Sequence, residues 1–64
     1  MNQALLRGRA IEVDIIRKYL PSNYRAFTWG NDVIVHGEDV AGWTLNDYVI
    51  PRLASGGYHV SDLG

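Results

Sequence analysis

Tyr24-Arg25-Ala26-Phe27-Thr28-Trp29-Gly30-Asn31-Asp32-Val33-Ile34-Val35-His36 is the stretch on which the fold turns. It opens with an aromatic-rich run of alternating polarity and closes with a branched aliphatic run. Between them Gly30-Asn31, extended by Asp32, supplies the positive-φ residues that a tight hairpin needs. The spacing predicts strands over 24–29 and 33–36. With a strand period of two, Arg25, Phe27 and Trp29 share one face, and Tyr24, Ala26 and Thr28 share the other. On the return strand Val33 and Val35 oppose Ile34 and His36.

Downstream, Gly37–Gly42 reads as a loop, and Trp43–Gly57 reads as one short helix. Thr44 is the expected N-cap, with Asp47 three residues on as its capping-box partner and a favourable charge at the helix start. Leu45, Tyr48, Val49 and Leu53 recur at helical spacing and form the inner face. Pro51 removes a backbone donor and crowds the preceding turn, so the helix is expected to be locally irregular. Gly56 suits a left-handed cap. Gly57-Tyr58-His59-Val60 is the expected third, edge strand.

Upstream, residues 3–20 contain no proline and end before Pro21, and they are predicted to form the first helix, capped by Asn2. On a wheel its apolar residues cover about twice the stripe of roughly 100° that a helix on a small sheet needs. Arg9 and Glu12 are spaced for an i,i+3 pair. Gly8 is a soft spot in such a helix. One use of the wide stripe is deep embedding in a small core. The other is a second face for another chain, with Leu5, Leu6, Val13, Ile16 and Leu20 as a homodimer seam.

The expected order is therefore α-β-β-α-β. The fold class is α+β: a single domain over residues 1–64, with a small antiparallel sheet carrying helices on one face. The other sheet face, bearing some of Arg25, Phe27, Trp29, Tyr58 and His59, is expected to be open.

The segment from Gly37 to Gly57 carries Gly42-Trp43-Thr44-Leu45 and Tyr48-Val49-Ile50-Pro51-Arg52-Leu53-Ala54-Ser55-Gly56. It resembles a pattern in small uncharacterised proteins of actinobacteria and their phages. The resemblance covers about a third of the chain. It implies a small accessory protein, phage-encoded or bacterial, whose role is binding, and it brings no catalytic residue with it.

A chain of 64 residues buries only roughly 60% of its unfolded surface, so its stability is marginal. Cysteine is absent, which excludes disulfides and thiolate zinc sites. Partner burial is the remaining way to gain stability. The longest apolar run is too short to span a bilayer, and the N-terminus lacks a secretory pattern. The expectation is a cytoplasmic protein.

Catalysis is not expected. His36, Glu38 and Asp39 are too scattered for a metal site. The serines lack a nucleophile elbow. Gly56-Gly57 ends a helix, whereas anion sites use a helix start. Neither a cofactor nor a metal is implied. Net charge is −1, with +2 over residues 1–20 and −3 over residues 21–64.

These readings converge on a non-catalytic binding or regulatory protein that docks on another protein. The candidate interface is Arg25, Phe27 and Trp29, with Asp32, Glu38 and Asp39 steering a basic partner. Trp29 and Trp43 are the candidate anchors, and the plainer use of either is core filling. The alternative is a small nucleic-acid-binding protein that stacks bases on the sheet aromatics beside basic residues. Its weakness is the acidic C-terminal portion.

Overall fold

A computed structural model describes residues 2–64. It shows an α+β fold with a four-stranded antiparallel sheet in the order β2-β3-β1-β4. The strands are β1 (Asn2–Leu6), β2 (Tyr24–Trp29), β3 (Asp32–Gly37) and β4 (Ser61–Asp62). The helices are α1 (Val13–Arg17) and α2 (Ile50–Ser55). A 3₁₀ turn at Ala10–Glu12 leads into α1, and a π-type turn at Leu45–Val49 leads into α2.

The hairpin forms as its sequence predicts. Its register runs from Tyr24↔Gly37 to Trp29↔Asp32. Gly30 alone takes positive φ, at 61°, and Asn31 does not. That is the II′ pattern, with glycine at the first central position.

The predicted helix over residues 3–20 does not form. Asn2 is a strand residue, not a helix cap. β1 runs between β3 and β4, pairing Leu5 with Ile34 on one side and with Ser61 on the other. Ala4 and Leu6 are fully buried and Leu5 only partly, a period of two, not 3.6. Alanine and leucine favour helix locally, but inner-strand pairing outweighs that weak bias. Gly8 ends the strand at φ 75°, where a side chain would be strained. The turn that follows is clipped to the hairpin tip. Gly8 N–H donates to Asp32 Oδ1 at 2.6 Å, and Ala10 N–H donates to the Asn31 carbonyl at 3.0 Å.

The over-wide apolar stripe is thereby explained. Its residues belong to a strand, a turn and a short helix that face different ways. Leu6 and Ile16 are fully buried in the core, and Val13 and Leu20 pack against it. Leu5 lies on the other sheet face. These five residues do not share one face, and the long first helix expected to present them as a seam is absent.

The core is one layer between sheet and helices. Ala4, Leu6, Tyr24, Ala26, Val33 and Val35 from one sheet face meet Ile16, Leu45, Val49 and Leu53. Thr44 caps the second helical segment: its Oγ1 accepts from Asp47 N–H at 3.1 Å. The irregularity expected at Pro51 is the π-type turn. Val49 N–H reaches the Thr44 carbonyl at 3.0 Å, five residues back. The wider turn suits a proline ring that would otherwise crowd the carbonyl four residues earlier.

The double glycine has two separate reasons. A Cβ on Gly56 would stand 2.7 Å from the Tyr19 ring. Gly57, not Gly56, is the left-handed residue, at φ 92°. Tyr58 N–H then reaches the Leu53 carbonyl at 3.1 Å and Gly57 N–H the Ala54 carbonyl at 3.0 Å, a Schellman closure. The last strand lies later than predicted, at Ser61–Asp62. Tyr58 and Val60 pack on the core instead.

Candidate interaction surface

The helices cover one face of the sheet, and the pairing register defines what stands on the other. Phe27, Ile34, Leu5 and Ser61 lie in one cross-strand row, and Arg25, His36 and Gln3 lie in the next. Trp29 stands at the hairpin end beside Asp32. Trp29 is 68% exposed and Phe27 is 41% exposed, so neither fills the core. The Phe27 and His36 rings meet edge to face, with centroids 6.5 Å apart. The result is an apolar ribbon crossing three strands, with Arg25 and His36 along one side.

Of the residues expected at an interface, the fold brings Arg25, Phe27 and Trp29 together. It uses two of the three acids otherwise. Asp32 accepts from Gly8 N–H, as described above. Asp39 Oδ1 accepts from the Tyr24 hydroxyl at 2.5 Å and from Leu45 N–H at 2.9 Å. Asp39 therefore fastens the loop after β3 to the start of the π-type turn. Glu38 stays exposed. The charged side chains beside the aromatic ribbon are Arg25 and Asp32, at opposite ends of β2 and β3 on this face. Tyr58 is not on this face either: its ring meets Tyr19 on the helical side, and its hydroxyl donates to Glu12 Oε1 at 2.9 Å.

The Asp39 link makes the fold pH-sensitive. The bonds from the Tyr24 hydroxyl and Leu45 N–H hold the Asp39 carboxyl below its ordinary value of about 3.8. Tyr24 is pushed up, by burial first and then by its bond to Asp39. A carboxyl lowered on folding contributes stability that is present above its unfolded pKa and lost as pH falls through the folded one. Asp39→Asn should therefore be less stable than wild type near neutrality. The difference should shrink as pH falls below about 3.8. Urea midpoints over an acid pH series check this, and a difference independent of pH would contradict it.

Trp43 forms a second, smaller exposed site. It is 45% exposed, and its ring meets Tyr48 at 4.7 Å between centroids. With Val40 it borders a cleft of about 350 Å³ that also touches Pro21 and Asn23. Among the described residues, no three His, Cys, Asp or Glu side chains are grouped to hold a metal ion. No helix among them is long and apolar enough to cross a membrane.

Three residues of the ribbon, Leu5, Ile34 and His36, were not joined to it by sequence reasoning. The hairpin register reaches two of them, since it sets Ile34 opposite Phe27 and His36 opposite Arg25, whereas no local signal marks Leu5.

Comparison with protein-family models, with curated proteins and with solved structures finds no match to this chain.

Proposed function

We propose that this chain is a non-catalytic binding protein that docks on another protein through the uncovered face of its sheet. The observation that carries the reading is Trp29, two-thirds exposed at the end of the hairpin and continuous with Phe27, Ile34 and Leu5. A large aromatic held on a strand gives contact area at low entropic cost, and tryptophan leads among interface hot spots. The neighbouring Arg25 favours a partner with an acidic group at its contact rim. A phage or bacterial regulatory role in the cytoplasm fits this small binding unit.

A second reading draws on the same residues. Phe27 and Trp29 beside Arg25 form a surface on which bases could stack.

Trp29→Ala separates docking from a structural role. The variant should fold with wild-type stability to within about 0.5 kcal/mol, as surface changes usually do. It should lose partner capture from a host lysate by roughly 30-fold or more. Capture is compared with and without nuclease. Retention in both samples supports protein docking, and loss after nuclease supports the nucleic-acid reading. Unchanged capture by Trp29→Ala would remove this face and leave the Trp43 site as the candidate.

A further inference from the structure

Pro21 cannot continue a helix, and the chain enters β2 through a tight turn, closed by Tyr24 N–H on the Pro21 carbonyl at 3.1 Å. The turn brings polar side chains of three segments to one place. Arg17 from the last turn of α1, Ser22 from the turn itself and Arg25 from β2 line one cleft of about 500 Å³. Leu20 and Pro21 give the cleft an apolar wall. Buried Tyr24 closes it from below.

The two arginines are held differently. Arg17 is fixed in place: Nε donates to the Ala26 carbonyl at 3.1 Å, and Nη1 donates to Asp14 Oδ1 at 2.9 Å. Its Nη2 remains for a ligand. The Asp14 side chain is 88% exposed, so it offsets the Arg17 charge only weakly. Arg25 is exposed and forms no salt bridge among the described residues. Two guanidinia on one cleft repel each other, and a single surface acid does not balance them. The cleft therefore carries surplus positive charge beside an apolar wall. A guanidinium is also a planar fork of donors whose geometry matches carboxylate and phosphate oxygens.

We propose that this cleft binds a phosphate monoester. Arg17 meets the phosphate from the α1 side and Arg25 from the β2 side. The Ser22 hydroxyl donates a further bond, and the esterified group lies against Leu20 and Pro21. Charge and oxygen count select this ligand over a carboxylate. A carboxylate has one charge and two oxygens, so one guanidinium satisfies it and the other stays unmatched. A phosphate monoester has nearly two charges at neutral pH and three free oxygens, one for each donor group. The site does not rest on docking through the sheet face, although Arg25 belongs to both.

NMR titration of the isotope-labelled full chain with phenyl phosphate tests it, at a pH of about 7.5, above the second phosphate pKa of about 6. The Ser22, Asn23 and Arg25 amides and the Arg17 Nε–H should shift together and saturate in the low millimolar range. Inorganic phosphate lacks the apolar group and should bind several-fold more weakly. Benzoate keeps the ring with a single charge and should bind about tenfold more weakly. Arg25→Ala should weaken phenyl phosphate by about tenfold or more, the loss of a charged hydrogen-bond donor. Arg25→Lys keeps the charge without the fork and should fall between. Arg25 is exposed, so its variants should fold, and their amide spectra check this. Arg7→Ala removes an exposed arginine outside the cleft and should leave binding unchanged. Shifts that never saturate overturn the proposal, as does a saturable site that Arg25→Ala leaves intact. Equal losses in Arg7→Ala and Arg25→Ala reduce the effect to net charge and overturn it too. Benzoate binding as tightly as phenyl phosphate assigns the cleft to a carboxylate and overturns the choice of ligand.

Discussion

Leu6→Ala is expected to cost about 2–5 kcal/mol, the range for a fully buried leucine truncated in a core. Leu6 is completely buried on β1 and faces Val33 across the ladder. A chain of this length holds roughly 3–10 kcal/mol in total at about 0.05–0.15 kcal/mol per residue. One methyl-to-isobutyl difference therefore removes a large share of it. At roughly 4–8 °C per kcal/mol, the midpoint should fall by at least about 8 °C. At the upper end the variant is unfolded at room temperature. Leu5→Ala, one residue earlier and on the uncovered face, should cost clearly less. Thermal scans of the two variants give the contrast. Equal losses at both positions would contradict a strand with period two, and no loss at Leu6 would contradict its place in the core.

Gly37→Ala should be nearly as damaging by the opposite mechanism. Gly37 faces Tyr24 across the hairpin, and an added Cβ would lie 2.2 Å from the Asn23 carbonyl oxygen and 2.8 Å from the Tyr24 ring. Backbone cannot yield as a flexible side-chain end can, so the chain itself must move. The usual cost of overpacking is about 1–3 kcal/mol, and a backbone neighbour puts this site at the upper end. The damage should spread. Asn23 Nδ2 donates to the Glu38 and Trp43 carbonyls at 2.8 Å each, and Glu38 N–H returns to the Asn23 carbonyl at 3.3 Å. Displacing Asn23 loosens the loop that carries Asp39 and Trp43. A chemical denaturation curve measures the loss. A midpoint within error of wild type would mean that the close approach is not maintained in solution.

What the sequence made legible follows from the range of each interaction. The hairpin, the Thr44 cap and the stop at Gly56-Gly57 depend on residues within a few positions of one another. Their chemistry is local, so turn and cap residues announce them. The two faces of β2 were readable for the same reason, which is why Arg25, Phe27 and Trp29 were grouped correctly. β1 was not readable as a strand. Its partners are Ile34 and Ser61, far along the chain, and Ala4-Leu5-Leu6 by itself suits a helix. Read as a helix, the same segment also conceals Leu5 as part of the ribbon and sets Leu5, Leu6, Val13, Ile16 and Leu20 on one face, which the fold divides. The structural part that Asp39 plays is hidden for a related reason. It caps a turn six residues away while holding a tyrosine from another strand, and neither spacing is a sequence motif.

The strand order β2-β3-β1-β4 also sorts the backbone protons by how often each meets water. β1 has a neighbour on both sides, and its last outer bonds come from the chain's far end, where Leu63 N–H donates to the Gln3 carbonyl at 2.9 Å. Amides buried between two strands exchange only when the whole sheet opens, so β1 and β3 should hold the slowest deuterium uptake in the molecule. Thr28, exposed on the rim, should exchange orders of magnitude sooner although it belongs to a regular strand. A time course of isotope exchange would thus draw the sheet's cross-section residue by residue, with the first-made strand at its most protected line.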